Sequence, residues 1–225
     1  MTWIKICGTT TAEDARIAFE AGADAVGFVF YEKSPRNVAA EQVRRIVAEL
    51  PSTVEKIGVF PRHSSLAARD QARELGLTGV QLYPMNGAEA GKGRAASPIE
   101  LGDLRVLWTL PAALFLEQGM EWMQSEVGDA HAPVILLDSS SGSQIGGTGR
   151  TFDWEQAAPL VEMMAQETKV VVAGGLNPDN VAEALAILKP WGVDVVSGVE
   201  ARPGKKDAGK VKAFVAAVRG SEKRQ

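Results

Sequence analysis

The chain has 225 residues, 45% of them hydrophobic and 23% charged, an ordinary globular balance with enough length to bury a core without disulfides or metals. Its formal net charge of −4 argues against a nucleic-acid partner, because binding a phosphate backbone needs a basic face. The single cysteine, Cys7, excludes an intrachain disulfide and a cysteine-based metal site, and the two histidines, His63 and His131, stand apart from other ligand-type residues, so no metal is expected.

The opening segment, Met1-Thr2-Trp3-Ile4-Lys5-Ile6-Cys7, lacks the long apolar core of a signal peptide. No apolar run reaches the length that crosses a bilayer, so no membrane partner and a cytoplasmic location are expected. Short β-branched runs then alternate with helical patterns along the chain. Strands are predicted at 4–7, 25–30, 56–60, 79–82, 105–109, 134–138, 170–173 and 193–197. Several are apolar at consecutive positions, as parallel strands covered on both faces are.

Between the strands, one spacing recurs. Val43, Ile46, Val47 and Leu50 fall at i, i+3, i+4 and i+7, which puts one apolar stripe on a helix. Ala157, Leu160, Val161 and Met164 repeat it, as do Val181, Ala184, Leu185 and Leu188, then Val211, Phe214, Val215 and Val218. Asn177-Pro178 reads as an N-cap followed by proline at the first helical position. Residues 84–97, rich in Gly and Ala, read as a loop, and Ser97-Pro98-Ile99-Glu100 as a capping box opening only a short helix. Eight strand–helix units with no break in composition predict one α/β domain over residues 1–225. Its expected architecture is a single (β/α)8 TIM barrel with a short or irregular fourth helix; a doubly wound open sheet is the alternative.

In such barrels the reactive groups stand at the C-terminal ends of the strands. Gly174-Gly175 follows the seventh strand and Ser197-Gly198 the eighth; without a Cβ, backbone N–H groups there can approach an anion closely. Tight turns alone also use such glycines, but two of these loops on adjacent strands point to phosphate. Asp138 ends the aliphatic run Val134-Ile135-Leu136-Leu137, where partial desolvation favours the neutral carboxyl and suits a general acid; a capping or turn aspartate is the alternative. Cys7 ends the first strand as a buried hydrophobe or as a base. Lys5, two residues earlier on the same strand face, would favour its thiolate. If the eighth strand closes onto the first, Asp194 can pair with Lys5 and blunt that effect. Arg36, in the proline-stiffened loop after the second strand, is either a solvated surface residue or a fork for a carboxylate.

Together these segments resemble the phosphoribosylanthranilate isomerase family. The resemblance rests on Lys5-Ile6-Cys7-Gly8, the stretch Gly22-Ala23-Asp24-Ala25-Val26-Gly27-Phe28-Val29-Phe30, Ser34-Pro35-Arg36 and Lys56-Ile57-Gly58-Val59-Phe60. It continues through Leu136-Leu137-Asp138, Gly146-Gly147-Thr148-Gly149-Arg150-Thr151-Phe152-Asp153-Trp154, Gly174-Gly175-Leu176-Asn177-Pro178 and Val193-Asp194-Val195-Val196-Ser197-Gly198-Val199-Glu200. It spans nearly the whole chain, in order, and is weak over residues 84–133.

The resemblance implies an Amadori rearrangement of N-(5-phosphoribosyl)anthranilate in tryptophan biosynthesis, without metal or cofactor, on a small-molecule phosphoribosyl substrate. It makes Asp138 the general acid, Cys7 the general base, Arg36 the holder of the anthranilate carboxylate and Asp194 that of a sugar hydroxyl. The loops of Gly174, Gly175, Asn177, Ser197 and Gly198 would hold the phosphate. It leaves monomer or homo-oligomer undecided. Where the family's fourth strand usually ends Val-Gln-Leu-His-Gly, this chain has Val80-Gln81-Leu82-Tyr83-Pro84, and its fifth strand, Leu107-Trp108-Thr109-Leu110, is bulky. Both changes are expected to face the substrate. The competing functional readings are a non-catalytic sugar-phosphate-binding barrel and an isomerase of a related phosphoribosyl amine.

Overall fold

The computed structural model describes residues 1–60, 65–83, 102–127, 134–139 and 151–223. Eight parallel strands close into a barrel: β1 (Trp3–Ile6), β2 (Ala25–Val29), β3 (Glu55–Phe60), β4 (Gly79–Leu82), β5 (Arg105–Pro111), β6 (Val134–Asp138), β7 (Val170–Val172) and β8 (Gly192–Val195). β1 pairs with β8, Lys5 opposite Asp194, and this closure excludes the open sheet. Seven helices are present among the described residues: α1 (Ala12–Ala21), α2 (Ala40–Glu49), α3 (Ser65–Glu74), α4 (Ala112–Val127), α5 (Trp154–Ala165), α6 (Val181–Leu188) and α7 (Ala208–Glu222). None of them is long and apolar enough to cross a membrane. A short hairpin, β9 (Glu200–Arg202) with β10 (Lys205–Lys206), follows β8. The expected short fourth helix, both histidines and the 146–150 part of the glycine motif lie outside the described residues.

The four helical stripes read from spacing all meet the barrel. Val43 and Ile46 on α2, Ala157, Val161 and Met164 on α5, all four stripe residues of α6 and all four of α7 are buried. They pack on the outward side chains of the strands, Ile4 and Ile6 among them, in one continuous core. Caps start several helices: the side chains of Thr11, Asp153 and Asp207 accept from the N–H three residues on.

Because successive strand residues alternate faces, Trp3, Lys5 and Cys7 all point into the barrel. The interior is therefore layered. At the bottom an apolar cluster joins Trp3, Ala25, Ile57, Leu107, Leu136 and Val171. Above it lies a buried polar layer. Lys5 Nζ donates to Gln81 Oε1 at 2.8 Å and to Asp194 Oδ1 at 2.9 Å, while Gln81 Nε2 donates to Thr109 Oγ1 at 3.2 Å. Cys7, Val29 and Val59 form the top layer, bordered by Tyr31, Tyr83 and Val196.

Several expected boundaries move. β1 starts and ends one residue early, so Cys7 follows the strand, and β8 ends at Val195. Ser197, expected in that strand, instead opens a 3-10 turn, Ser197–Val199, because Val196 leaves the β region at φ −122°, ψ −87°. α6 begins at Val181 rather than beside Pro178. Asn177 closes the turn before it: its Oδ1 accepts from the N–H of Asp179 and Asn180, and its carbonyl accepts from Val181.

Candidate active site

A cleft of about 650 Å³, solvent at its mouth included, opens above the top layer at the C-terminal ends of the strands. Its wall brings together Cys7, Arg36, Asp138, Asp194 and the backbone of Gly174-Gly175 and Ser197. Asn177 and Gly198 are not part of the wall; they brace the loops behind it. A β-carbon at Gly198 would lie 2.0 Å from the carbonyl oxygen of Leu176, so only glycine lets the loops after β7 and β8 pack this closely. Gly198→Ala is therefore expected to cost about 1–3 kcal/mol of stability, measured by urea unfolding.

Gly174 and Gly175 take positive φ, 87° and 65°. The N–H groups of Gly174, Gly175 and Ser197 donate to no acceptor among the described residues. Donors gathered at one end of a cleft without partners form a concave anion cradle. Nearby, the Gly175 carbonyl is turned away, accepting from Asn180 Nδ2 at 3.0 Å.

Cys7 departs from the electrostatics expected of it. Burial pushes its thiol above the ordinary value, outweighing the attraction of Lys5, and Asp194 pushes it the same way. Lys5 itself is committed to Asp194. Burial pulls its pKa down, but the charge and hydrogen bond of Asp194, together with those of Cys7, more than offset that and leave it raised. The resting site therefore holds a neutral thiol beside a paired ammonium. A β-carbon at Gly27 would lie 2.6 Å from Cys7 Sγ and 3.0 Å from Lys5 Cε, so the glycine on β2 makes room for both.

Asp138 lies at the mouth of β6, nearly buried, with Tyr83 Oη 3.3 Å from its Oδ2. Burial and the negative charge of Asp138 hold the Tyr83 hydroxyl well above the ordinary phenol value, so it stays a donor. The contact is long for an O–H···O bond. Tyr83→Phe should therefore change kcat/KM by less than about fivefold in steady-state kinetics, the scale of one weak hydrogen bond. Strand five corrects an expectation: none of residues 107–110 lines the cleft. Trp108 packs on the outer core, Leu107 sits in the bottom layer and Thr109 in the polar layer. Among the described residues of the two departures, Tyr83 is the one that reaches the cavity.

Arg36 is half-committed. Its Nε and Nη2 donate to Glu200 Oε1 and Oε2 at 2.9 and 2.8 Å, a side-on bidentate pair. Tyr83 is the departure the sequence places at the substrate end, whereas Glu200, Lys206, Gln81 and Gly27 are given no role by it. Glu200 and Lys206 act across 164 and 170 residues of chain separation from Arg36, and only the motif ending at Glu200 hints at the former.

Fold and cleft together define a (β/α)8-barrel enzyme, its ionisable groups carried on separate strand ends above a closed interior. The family model described as N-(5'phosphoribosyl)anthranilate (PRA) isomerase matches residues 4–217. The chain belongs to this family. It is 44% identical over 216 residues to the N-(5'-phosphoribosyl)anthranilate isomerase of Geobacter sp. (strain M21), covering 96% of this chain and 97% of that relative. The crystal structure of phosphoribosyl anthranilate isomerase from Thermotoga maritima matches with a TM-score of 0.79 and 36% identity, covering 98% of this chain and 100% of that one. A solved phosphoribosyl anthranilate isomerase in complex with reduced 1-(o-carboxyphenylamino)-1-deoxyribulose 5-phosphate matches at TM-score 0.76 and 35% identity, with the same coverage.

Proposed function

We propose that the chain catalyses the Amadori rearrangement of N-(5-phosphoribosyl)anthranilate to 1-(2-carboxyphenylamino)-1-deoxyribulose 5-phosphate, a step of tryptophan biosynthesis, with Asp138 as acid and Cys7 as base. One observation carries the assignment of roles: both residues, Arg36 and the N–H groups of the glycine loops, which donate to no acceptor among the described residues, share the wall of one cleft.

The phosphate is anchored in the cradle of Gly174, Gly175 and Ser197, which fixes the ribose between the two reactive side chains. Asp138 gives its proton to the furanose ring oxygen; the ring C–O bond breaks and the amine nitrogen's lone pair forms the Schiff base. Cys7, once its thiol has released its proton to solvent, takes the proton from the adjacent carbon as a thiolate, and the electron pair released gives the enolamine, which tautomerises to the ketone. Asp194 holds a sugar hydroxyl from the edge of the polar layer. Arg36 receives the anthranilate carboxylate on its end-on edge, Nη1 and the second Nη2 hydrogen, which Glu200 leaves available. The reading takes residues 1–225 as one domain, working in the cytoplasm, without metal or cofactor.

The test is a fluorescence assay that follows the loss of phosphoribosylanthranilate on adding the purified chain. Turnover is expected; binding of the reduced product compound without turnover would favour a non-catalytic sugar-phosphate barrel.

A further inference from the structure

Arg36 reaches the cleft as one member of a buried charge cluster built by the β9–β10 hairpin. Glu200 carries the bidentate pair, and Lys206 Nζ donates to Glu200 Oε1 and to the Val196 carbonyl, both at 3.3 Å. All three side chains are largely or fully buried, at 12% exposure for Arg36, 4% for Glu200 and 0% for Lys206. Burial alone would raise the Glu200 pKa, yet the hydrogen bonds from Arg36 and the charge of Lys206 bring it below the ordinary value. The hairpin is tied to the loop after β1 by Thr10 Oγ1, which donates to the Gly204 carbonyl at 2.7 Å, and the Gly204 N–H donates to Glu200 Oε1 at 3.2 Å. On its other side the stem of Arg36 lies over Gly8, where a β-carbon would come within 2.8 Å of Cδ.

Two cations thus share one carboxylate. Asp14, which accepts from the Lys206 N–H, is itself paired with Lys205. Counted over Arg36, Glu200 and Lys206, the cluster carries one surplus formal positive charge, and Arg36 is its only member on the cleft wall. Glu200 is not on that wall.

We infer that Glu200 is a positioning residue for substrate recognition: it clamps the side-on edge of Arg36 so that the end-on edge faces the cleft, while Lys206 cancels the negative charge the clamp brings. The inference rests on the reading of Arg36 as the carboxylate holder. It also decides a sign. Through charge alone, Glu200 repels an incoming carboxylate and its removal would tighten binding; through orientation, its removal weakens binding. Glu200 lies off the cleft wall, so its charge reaches the ligand at longer range than its two hydrogen bonds reach Arg36, and the second effect dominates.

The experiment uses the full chain and two probes: reduced 1-(o-carboxyphenylamino)-1-deoxyribulose 5-phosphate, which carries the aryl carboxylate, and inorganic phosphate, which does not. Glu200→Gln should raise KM and the inhibition constant of the reduced compound about tenfold, the scale of one charge-assisted hydrogen bond. Both kcat and the inhibition constant of phosphate should stay within about twofold, as expected for groups with no shared partner. An unchanged or tightened constant for the reduced compound overturns the inference, and so does equal weakening of both probes, which marks a general loss of structure. Arg36→Met, run alongside, separates the two layers of the argument. If it leaves the reduced compound's binding intact, the carboxylate reading of Arg36 fails; if it weakens that binding while Glu200→Gln does not, the positioning inference alone fails. Should Glu200→Gln not fold, Glu200→Asp decides. It keeps the charge but shortens the clamp by one methylene, and an unchanged KM for the folded variant overturns the inference.

Discussion

Replacing Cys7 with serine is expected to lower kcat by about a hundredfold or more, the scale of positioned acid–base catalysis. The substitution is conservative in shape. Cys7 packs with Val29 and Val59 in the top layer, and a hydroxyl fits where the thiol does. What changes is basicity on demand: a thiol can release its proton within reach of working pH, and an alkyl alcohol cannot. The wild-type pH profile carries the same information. Burial holds the Cys7 thiol above its ordinary value against the pull of Lys5, with Asp194 adding to burial and Lys206 opposing it. The thiolate is the reactive form, so kcat/KM should fall as pH drops and keep rising on the alkaline side of the ordinary thiol range. That limb should vanish in Cys7→Ser. A serine variant within threefold of wild type, or a wild-type profile already flat at neutral pH, would remove Cys7 from the role of base.

The second large effect is expected at Asp138. Asparagine matches the carboxyl in size and keeps an oxygen to accept from Tyr83 Oη, so the mouth of β6 keeps its geometry. It has no acidic proton to give to the ring oxygen. The kcat of Asp138→Asn should therefore fall by about a hundredfold or more. Binding of the reduced product compound should change by less than about threefold, because its ring is already open and needs no acid. Loss of that binding in parallel with turnover would show that Asp138 holds the ligand rather than protonating it. Paired with Cys7→Ser in one chain, the losses should be far from additive if both groups serve one reaction coordinate.

Much of this molecule was legible in its sequence for local reasons. The run 134–138 is a strand at the predicted bounds, since the uninterrupted aliphatic stretch Val134-Ile135-Leu136-Leu137 leaves little choice where a parallel strand runs, and 79–82 matches its predicted bounds as well. Where a boundary depended on backbone conformation it moved: Val196 bends out of β8, and Asn177 completes a turn before α6 can start. The electrostatics were harder to read. The Lys5–Asp194 pair depended on closure of β8 onto β1, a long-range fact, and once the barrel closes the ammonium is spent on Asp194 rather than on Cys7. Arg36 was visible as a fork in a stiff loop, but Glu200 and Lys206 reach it through a hairpin at the far end of the chain. The fifth strand's bulk suggests a change at the substrate end, but alternation along the strand turns Trp108 outward onto the outer core.

The polar layer of Lys5, Gln81, Thr109 and Asp194 divides the barrel's labour. It works as a floor with the candidate active site above and load-carrying below. Trp3, Ile57 and Leu107 lie beneath it, with Trp191 stacked on Trp3 at 5.2 Å and Lys169 over the Trp191 ring. Side chains above the floor, Tyr83 among them, can be exchanged without reopening the packing beneath. A library confined to residues above the floor should therefore retain wild-type thermal stability while ranging widely in activity, and one confined to residues below should do the reverse. The departure at Tyr83 is a substitution of the first kind, made where the chain tolerates experiment.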